Sequence, residues 1–356
     1  MIDKATILIP DISGFTEFVS NTELDHSAHI ISELLNLIIS ENYSGFTVSE
    51  IEGDAVLFYK KGDIPSKQTL VKQCIDIFSK FHEQLKFMER DVICSCGACQ
   101  GASRLSLKFI IHYGAIKEFR IADIVKASGV DMIIAHRLLK NNINSSEYIL
   151  LSSSCLDRLP DKDETVGLKG NKSIEKYPAL GDIELEYADL EEIKKNIPPV
   201  PERKTYIKHD GGDTLEIEIE APIEKVYQRI IDLDSITEWM VGVDKIKRDQ
   251  GVERIGTKHI CMTPSFEMEV ELDYAKFMGD SAIIVNKFSI LGTDLSGVGA
   301  DHLKKIDENK TLLTDTSMWN VSEDLKQEMM AGFKISLEFF KALCEGKEFN
   351  KNEFHG

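Results

Sequence analysis

The chain has 356 residues, of which 42% are hydrophobic and 29% charged, and this length allows about two domains. These proportions exclude a disordered chain, a collagen-like repeat and a bundle of membrane helices. The formal net charge of −18 opposes binding to phosphate backbones and anionic lipid surfaces, so we expect neither a nucleic-acid partner nor a membrane partner.

The N-terminal residues and the cysteines indicate the compartment. Residues 5–9 form an apolar run that is too short for the core of a signal peptide, and Pro10 closes it. The seven cysteines are an odd number, which excludes a complete disulfide framework. We therefore expect a cytoplasmic protein with reduced thiols.

The first half of the chain combines short β-rich runs with amphipathic helices. Strands are predicted at 5–9, 46–51, 55–59, 105–112 and 148–151. Apolar residues recur every three or four positions from 66 to 90, which predicts a long helix with one apolar face. A shorter helix is predicted over 132–140.

A proline-rich segment separates two predicted domains. Pro198-Pro199-Val200-Pro201 has restricted dihedral angles and favours an extended spacer. We therefore predict a linker at 188–205, which separates a first domain over 1–187 from a second domain over 206–346, and a tail over 347–356.

The second domain is predicted to begin with strands and to end with a helix. Alternating residues predict strands at 215–219, 267–272 and 282–288. Pro222 begins a short helix after the first of them. A closing amphipathic helix follows, with Ser322 as its predicted N-cap.

Two aspartates in the first domain could hold metal ions. Asp11 follows the first buried strand and precedes a glycine turn whose amides can face an anion. Asp54 lies at the tip of the predicted hairpin 46–59. Carboxylates at neighbouring strand ends can share hard cations such as Mg²⁺, which bring substrate phosphates with them. Taken singly, each aspartate is also compatible with a turn-forming role.

The motifs around these aspartates resemble those of class III nucleotidyl cyclases. Asp-Ile-Ser-Gly-Phe-Thr at 11–16 resembles the D-I-x-G-F-T metal motif, and residues 50–55 resemble the x-x-x-G-D-A motif. Residues 109–114, 129–138 and 168–172 are similar to the family's I-G-I-H-x-G, G-x-x-V-N-x-A-x-R-L and L-K-G-x-x segments. The resemblance spans about residues 5–182 and implies an α+β, ferredoxin-like cyclase domain.

The resemblance implies a reaction and an assembly. The reaction is conversion of a nucleoside triphosphate to a 3′,5′-cyclic nucleotide and pyrophosphate, with two Mg²⁺ or Mn²⁺ ions held by Asp11 and Asp54. The assembly is a homodimer in which Arg137 of the partner subunit stabilises developing negative charge. The implied nucleotide-binding residues are Gly14, Phe15, Thr16, Glu50, Lys169 and Lys172.

Two positions depart from the family pattern. Ile133 stands where the family has an asparagine that binds the ribose, so one transition-state contact is missing. Glu50 matches guanylate-selective members, but Lys126 stands near its usual partner position, so base identity stays open. Glu50 either accepts from guanine N1 and N2 or is a solvated charge. The alternative hypothesis is an inactive, cyclase-fold sensor or scaffold that binds nucleotide or a hydrophobic ligand.

A cluster of thiols follows the long helix. Cys94, Cys96 and Cys99 could bind Zn²⁺ if His82, another cysteine or a partner chain supplied a fourth ligand, because structural zinc is tetrahedral. A reduced, loop-lining cysteine group is equally compatible. We assign no metal to His26, because no acidic or thiol partner is near it in the sequence. A similar C-x-C-x-x-C insertion occurs in an uncharacterised bacterial branch of cyclase-like proteins, which the chain resembles.

The second domain resembles another family. Residues 219–227 and Trp239 are similar to the opening of the helix-grip (START-like, polyketide-cyclase-like or SRPBCC) family. This implies a curved antiparallel sheet around a closing helix, with an apolar cavity for a hydrophobic small molecule that regulates the cyclase. The alternative is a packed interior. No pair of acids is apparent in this domain, so we expect binding rather than catalysis. The predicted lining residues are Met262, Phe266, Trp319, Met330 and Phe333.

Overall fold

The chain folds into two α+β units. A computed structural model describes residues 2–20, 22–160, 168–178, 180–203, 211–248 and 251–350. One unit comprises Met1–Arg90 and Cys96–Pro201, and the other comprises Asp91–Ser95 and Glu202–Gly356. The end of the predicted linker, 204–205, and most of the predicted tail, 351–356, lie outside the described residues. Within the described ranges, no helix is both long and apolar enough to cross a membrane.

The first unit is built on an eight-stranded sheet. Its strands are β1 (Asp3–Ser13), β2 (Thr47–Glu52), β3 (Ala55–Lys61), β4 (Ser106–Ile121), β5 (Ile124–Ser128), β6 (Tyr148–Ser152), β7 (Asn171–Tyr177) and β8 (Gly181–Asp189). They lie in the order β2-β3-β1-β4-β6-β8-β7, and β5 pairs with the far end of β4. The β4–β6 pair is parallel.

Helices connect and cover these strands. They are α1 (Phe15–Ser20), α2 (Leu24–Ser40), α3 (Lys67–Asp91), α4 (Gly97–Gly101), α5 (Val130–Leu138), α6 (Ser153–Leu156) and α7 (Glu191–Lys195). The long helix expected over 66–90 is α3, whose buried residues recur at helical spacing as the sequence pattern predicts.

The central strand β1 is longer than its sequence pattern predicts. It is hydrogen-bonded on both sides, to β3 and to β4, and extends through Ser13. Asp11 therefore lies within the strand and not after it. Since Ile7 and Ile9 are fully buried, the last residues of β1 are held by a rigid apolar core, and this fixes where the Asp11 side chain can lie.

The sequence pattern gave no prediction for β7 and β8. β7 is an edge strand in which Ile174 is exposed and Glu175 is buried, so its polarity pattern does not indicate a buried face. In β8, Ile183 and Leu185 are buried at alternate positions, a spacing that indicates a strand but from which no prediction was made.

The second unit is a seven-stranded antiparallel sheet with helices. Its strands are β9 (Asp213–Ile219), β10 (Lys245–Arg248), β11 (Lys258–Met262), β12 (Glu267–Phe277), β13 (Ser281–Ile290), β14 (Ser296–Asp307) and β15 (Lys310–Asn320), in the order β10-β11-β12-β13-β14-β15-β9. Its helices are α8 (Ile223–Ile230), α9 (Ile236–Trp239) and α10 (Glu323–Glu345). The Ser322 hydroxyl accepts from the Leu325 amide and caps α10 as expected.

Candidate functional site

Asp11 and Asp54 lie on adjacent strands of the first unit. Asp11 on β1 is the cross-strand partner of Ala55, and the Ile12 amide donates to the Asp54 carbonyl over 3.0 Å. Gly53 takes a left-handed conformation with φ 60°, which closes the tight β2–β3 turn on which Asp54 stands. The strand register therefore brings together two carboxyl groups that are 43 positions apart in the chain.

Asp11 and Asp54 are two acids that are both at least partly buried and lie close enough to repel each other. Asp11 is only 7% exposed, and Asp54 is half-buried. Burial raises the pKa of Asp54, and the neighbouring Asp11 carboxylate raises it further, while a backbone hydrogen bond and Lys108 act in the opposite direction. Two oxygen donors whose mutual repulsion is incompletely neutralised are a donor set suited to a hard divalent cation.

Lys108 is a residue of this site that the sequence analysis missed. It is the cross-strand partner of Asp11 on β4, and its Nζ lies 2.9 Å from Asp11 Oδ2. In the sequence it is an unremarkable lysine at the start of a strand. Only the β1–β4 register indicates that its ammonium lies next to a metal-motif carboxylate.

The glycine turn after β1 packs near the hairpin. Gly14 has φ 89°, a conformation that favours glycine, and the Phe18 amide donates to its carbonyl. A Cβ built on Gly53 would lie 3.8 Å from the Phe15 ring, so the ring lies close to the tip that carries Asp54. Gly14 and Thr16 are exposed.

Glu50 is paired and not simply solvated. Lys126 Nζ on β5 donates to Glu50 Oε2 over 2.6 Å. Next to this pair, His136 Nδ1 on α5 lies 3.5 Å from Glu52 Oε2. The contacting strands β2 and β5 thus present a carboxylate acceptor and an ammonium donor side by side.

The remaining predicted site residues lie on α5 and at the edge strand β7. Arg137 is exposed at the end of α5, and its carbonyl accepts from the Tyr177 hydroxyl. Lys169 and Lys172 are exposed, and Lys172 is on β7. Four strand spacings separate β7 from β1 in the sheet order, on the order of 19 Å.

A Cys/His cluster lies beside the start of α2. His26 Nδ1 is 3.2 Å from Cys96 Sγ and 3.4 Å from Cys99 Sγ. Cys96 also caps α4 by accepting from the Cys99 amide. His26, which the sequence analysis set aside, is therefore the imidazole next to these thiols; the Glu23 carboxylate, which accepts from Ala98, further ties α2 to α4.

His82, which the sequence analysis suggested as a ligand, lies elsewhere. Its ring is buried against Phe78 and Phe81, with Nε2 3.2 Å from Glu147 Oε1. Burial lowers the pKa of His82.

His112 is also buried. It is hydrogen-bonded through both ring nitrogens, to Ser152 and Asp131, as expected for a structural histidine.

The second unit encloses a cavity of about 530 Å³ next to α10. Of the predicted lining residues, Phe266, Trp319, Met330 and Phe333 line it. Met262 is not among the lining residues. Its neighbour Cys261 lines the cavity, and since side chains alternate along a strand, Met262 points to the other face of β11.

Two acids in this cavity overturn the expectation of a site without paired carboxyl groups. Asp301 on β14 and Asp315 on β15 are direct cross-strand partners, and both line the cavity. In the sequence they are 14 positions apart in different strands, and no motif marks them. The β14–β15 register alone brings them face to face.

Sequence comparison finds relatives without an established activity. A family model described as "Protein of unknown function (DUF2652)" matches residues 31–148. The "Uncharacterized protein Rv2561/Rv2562" of Mycobacterium tuberculosis is 28% identical over 183 residues, which cover 49% of this chain and 80% of that protein.

Several solved structures of cyclase domains are similar to about half of the chain. The guanylate cyclase domain of RhGC from Catenaria anguillulae, in complex with GTP, is 15% identical with a TM-score of 0.38 and covers 53% of this chain and 97% of its own. The adenylyl cyclase CyaB from P. aeruginosa is 16% identical with a TM-score of 0.37 and covers 53% and 94%. A bacterial light-regulated adenylyl cyclase is 14% identical with a TM-score of 0.41 and covers 55% and 57%.

Proposed function

We propose that the first unit is a nucleotidyl cyclase, which converts a nucleoside triphosphate to a 3′,5′-cyclic nucleotide and pyrophosphate. The observation that carries this proposal is the juxtaposition of Asp11 and Asp54 at one end of the β1–β3 strand pair, with a glycine turn after β1 and a donor–acceptor pair on β2 and β5 of the same unit. Each element matches one requirement of the reaction: cation binding, phosphate approach and base recognition.

Asp11 and Asp54 would hold Mg²⁺ or Mn²⁺. Their oxygen chemistry fits these hard cations, and the pKa of Asp54 is raised first by burial and then by the neighbouring Asp11 carboxylate, whose effect Lys108 only partly offsets. When bound, two such ions supply charge neutralisation at the triphosphate and activation of the ribose hydroxyl. Lys108 orients the Asp11 carboxylate and limits the net charge of the pair in their absence.

Glu50 and Lys126 would recognise the nucleotide base by hydrogen bonds. A purine edge carries donors and acceptors next to each other, so it can exchange one hydrogen bond with each member of an ion pair. For guanine, Glu50 would accept from N1 and N2 while Lys126 donates to O6. For adenine, Glu50 would accept from N6 while Lys126 donates to N1. The pair favours a purine, and assays with both purines decide between them.

A homodimer would complete the site. Lys172 on β7 lies four strand spacings from β1, and the proposal assigns Arg137, Lys169 and Lys172 to the neighbouring active site of a second copy. An exposed apolar surface supports this assembly. It is made by residues of the contacting elements β4, β5 and α5: Phe119, Ile121, Val125, Val130 and Ile133. Large exposed apolar patches are typical of interaction sites.

A second candidate function is an inactive sensor or scaffold of the same fold. Ile133 favours it, because this residue is 53% exposed on α5 and has no group with which to bind a ribose hydroxyl. In this alternative the two aspartates bind a nucleotide and its cation without turnover.

We also propose two accessory roles. His26, Cys96 and Cys99 would bind Zn²⁺ through one imidazole and two thiolates, the ligand types that zinc prefers. Cys94 stays the sequence-based candidate for a fourth ligand, because only Ser95 separates it from Cys96. The second unit, the START-like domain of the sequence analysis, would bind an apolar ligand in its cavity and regulate the cyclase.

The deciding experiment is a product assay. The purified full chain is incubated with each of the four nucleoside triphosphates and Mn²⁺, and cyclic nucleotide and pyrophosphate are quantified. We expect both products from a purine triphosphate. Nucleotide binding without either product, in a folded dimer, would support the scaffold instead.

A further inference from the structure

The second unit's cavity is lined mainly by apolar side chains, and two of its polar lining residues, Asp301 and Asp315, lie opposite each other on neighbouring strands. Its volume of about 530 Å³ lies in the range of small-molecule sites, roughly 300–1,000 Å³. Aromatic side chains form much of the wall, and Phe288 stacks on Trp319 with ring centroids 5.2 Å apart. Gly299 leaves room for this stack, since a Cβ there would lie 2.9 Å from the Phe288 ring.

Asp301 and Asp315 lie beside this aromatic wall. Going along the strands, the cross-strand pairs are Gly297 with Trp319, Gly299 with Ser317, and Asp301 with Asp315. The two carboxyl groups are hydrogen-bonded to each other. Asp315 is 3% exposed, and its Oδ1 has no hydrogen-bond partner among the described residues. A buried polar atom left without a partner costs free energy, which a ligand able to bond it would recover.

A second polar atom in the wall is also unsatisfied. Trp239 is 5% exposed and lines the cavity, and its Nε1 has no acceptor in the part of the chain that the structure describes. Buried tryptophans usually donate this hydrogen bond. Unpartnered buried atoms in two separate elements, α9 and β15, independently indicate that the cavity is shaped for an occupant.

The charges that face the cavity are acidic only. The titratable side chains in its lining are Glu253, His259, Cys261, Asp301, Asp315 and Glu328, and none of the described lining residues is lysine or arginine. Arg248 neutralises Glu253. Burial and Arg248 lower the pKa of His259 to about 4, so its ring is neutral near pH 7. Among the described lining residues, Asp301 and Asp315 therefore have no cationic side chain to pair with.

Desolvation governs the protonation of the pair. Burial raises the pKa of both carboxyl groups, and the proximity of Asp301 raises that of Asp315 further. In the empty cavity the pair therefore retains a proton at a pH where an ordinary aspartate has none.

We propose that this cavity binds an apolar molecule with one protonated amine, whose ammonium group lies between Asp301 and Asp315. The inference rests on the proposed ligand-binding role of the second unit and names the ligand class. An ammonium donates three hydrogen bonds, enough for the shared pair and the unpartnered Asp315 oxygen. The Phe288 ring lies close to the acids, since a Cβ on Gly299 would be 2.9 Å from the ring and 3.9 Å from Asp315 Oδ2, so it can contact the apolar part of the ligand next to the ammonium. A carboxylate ligand would place its negative charge beside two acids, with no lysine or arginine among the described lining residues to offset it, so it is disfavoured.

The protein's own fluorescence provides the measurement. Its two tryptophans, Trp239 and Trp319, both line the cavity. Decylamine, decanol and decanoate, each below its micelle concentration, are titrated into the full chain while tryptophan emission is followed. We expect decylamine to bind about tenfold or more tighter than decanol, as a charge-assisted hydrogen bond would give, and decanoate to bind weakest.

The pH dependence and two variants test the role of the acids. Decylamine affinity should rise from about pH 6 to about pH 8 as the pair loses its proton, with proton release on binding, while decanol affinity stays constant. Asp315→Asn and Asp301→Asn should each remove the preference for the amine but retain decanol binding. Asp273→Asn, which alters an aspartate outside the cavity lining that pairs with Lys287, is the matched control and should keep the preference.

The fluorescence titrations distinguish failure of the amine proposal from failure of the ligand-binding role. Equal affinity for amine and alcohol, or an unchanged preference in folded Asp315→Asn and Asp301→Asn proteins, overturns the amine proposal while leaving an apolar ligand site intact. Tightest binding by decanoate overturns it as well. No emission change with any of the three compounds removes the ligand-binding role of the cavity and the amine proposal together.

Discussion

Lys108 Nζ lies 2.9 Å from Asp11 Oδ2, across the register that joins β4 to β1. The lysine thus places one positive charge next to a pair of carboxyl groups and offsets only part of their repulsion. Lys108 and a divalent cation would compete for the same Asp11 carboxylate. Replacing the lysine should therefore change the affinity of the site for the cation.

Lys108→Met should strengthen Mn²⁺ binding to the full chain. Loss of a positive charge within a few ångströms of the ion favours the cation by about tenfold at near-neutral pH. Calorimetric titration measures the change. Lys117→Met, on the exposed end of the same strand, is the control and should bind Mn²⁺ like the wild type. Weaker binding in Lys108→Met alone would show that the lysine supports the ion.

Asp54→Ala should abolish cyclisation while the fold is retained. The side chain stands on a turn and is half-buried, so its loss removes a metal ligand without opening a core cavity. We expect turnover to fall by at least about 100-fold and Mn²⁺ affinity to fall in parallel. Asp63→Ala, an exposed aspartate after β3, should change neither. Wild-type turnover in Asp54→Ala would remove the site assignment.

Two inactive variants should restore activity when mixed. Asp54→Ala damages one half of a shared site, and Arg137→Ala damages the other half if Arg137 acts on the partner subunit's nucleotide. After subunit exchange, random pairing leaves one intact site in each mixed dimer, so activity should return to about a quarter of the wild-type level. If the mixture stays inactive although light scattering and exchange assays show mixed dimers, Arg137 does not act across the dimer.

His26→Ala should remove zinc from the purified protein. Wild-type protein is expected to contain about one zinc per chain, since a tetrahedral site binds a single ion. Elemental analysis gives the ratio. His29→Ala lies on the same helix, where His29 pairs with Glu33, and should retain the metal. Equal zinc content in the two variants, or none in the wild type, contradicts the assignment.

The stability of the chain should fall as pH rises through the neutral range. Asp301 and Asp315 have raised pKa values in the folded state, so the folded chain holds more protons than the unfolded chain above the ordinary aspartate pKa. As pH rises, the pair releases these protons and becomes charged inside the folded protein, which lowers the free energy of unfolding. Asp315→Asn should flatten this dependence and stabilise the second unit at about pH 8 by on the order of 2 kcal/mol. Thermal unfolding across pH measures it, and a steeper dependence in the variant would contradict the reasoning.

Local patterns predicted the elements that have a strong apolar signal. The helix α3 and the strands β1, β3 and β6 bury residues at their characteristic spacings, so hydrophobic periodicity identified them. The hairpin β7–β8 escaped prediction because β7 exposes Ile174 and buries Glu175, and because the alternation of Ile183 and Leu185 in β8 was not recognised. Strand ends were also misjudged, since the length of β1 depends on its neighbours and not on its own residues.

The sequence by itself determined that Asp11 and Asp54 are candidate metal ligands, since each stands in a short motif with a glycine turn. Only the tertiary structure decided which groups surround them and where the other sites lie. Lys108 next to Asp11, His26 next to Cys96, and Asp301 opposite Asp315 are contacts of strand register and helix packing. The residues in each of these contacts are far apart in the chain or carry no motif. The pKa values and ion pairing of these side chains depend on burial and on neighbouring charges, and both are set by the tertiary structure and not by the order of residues.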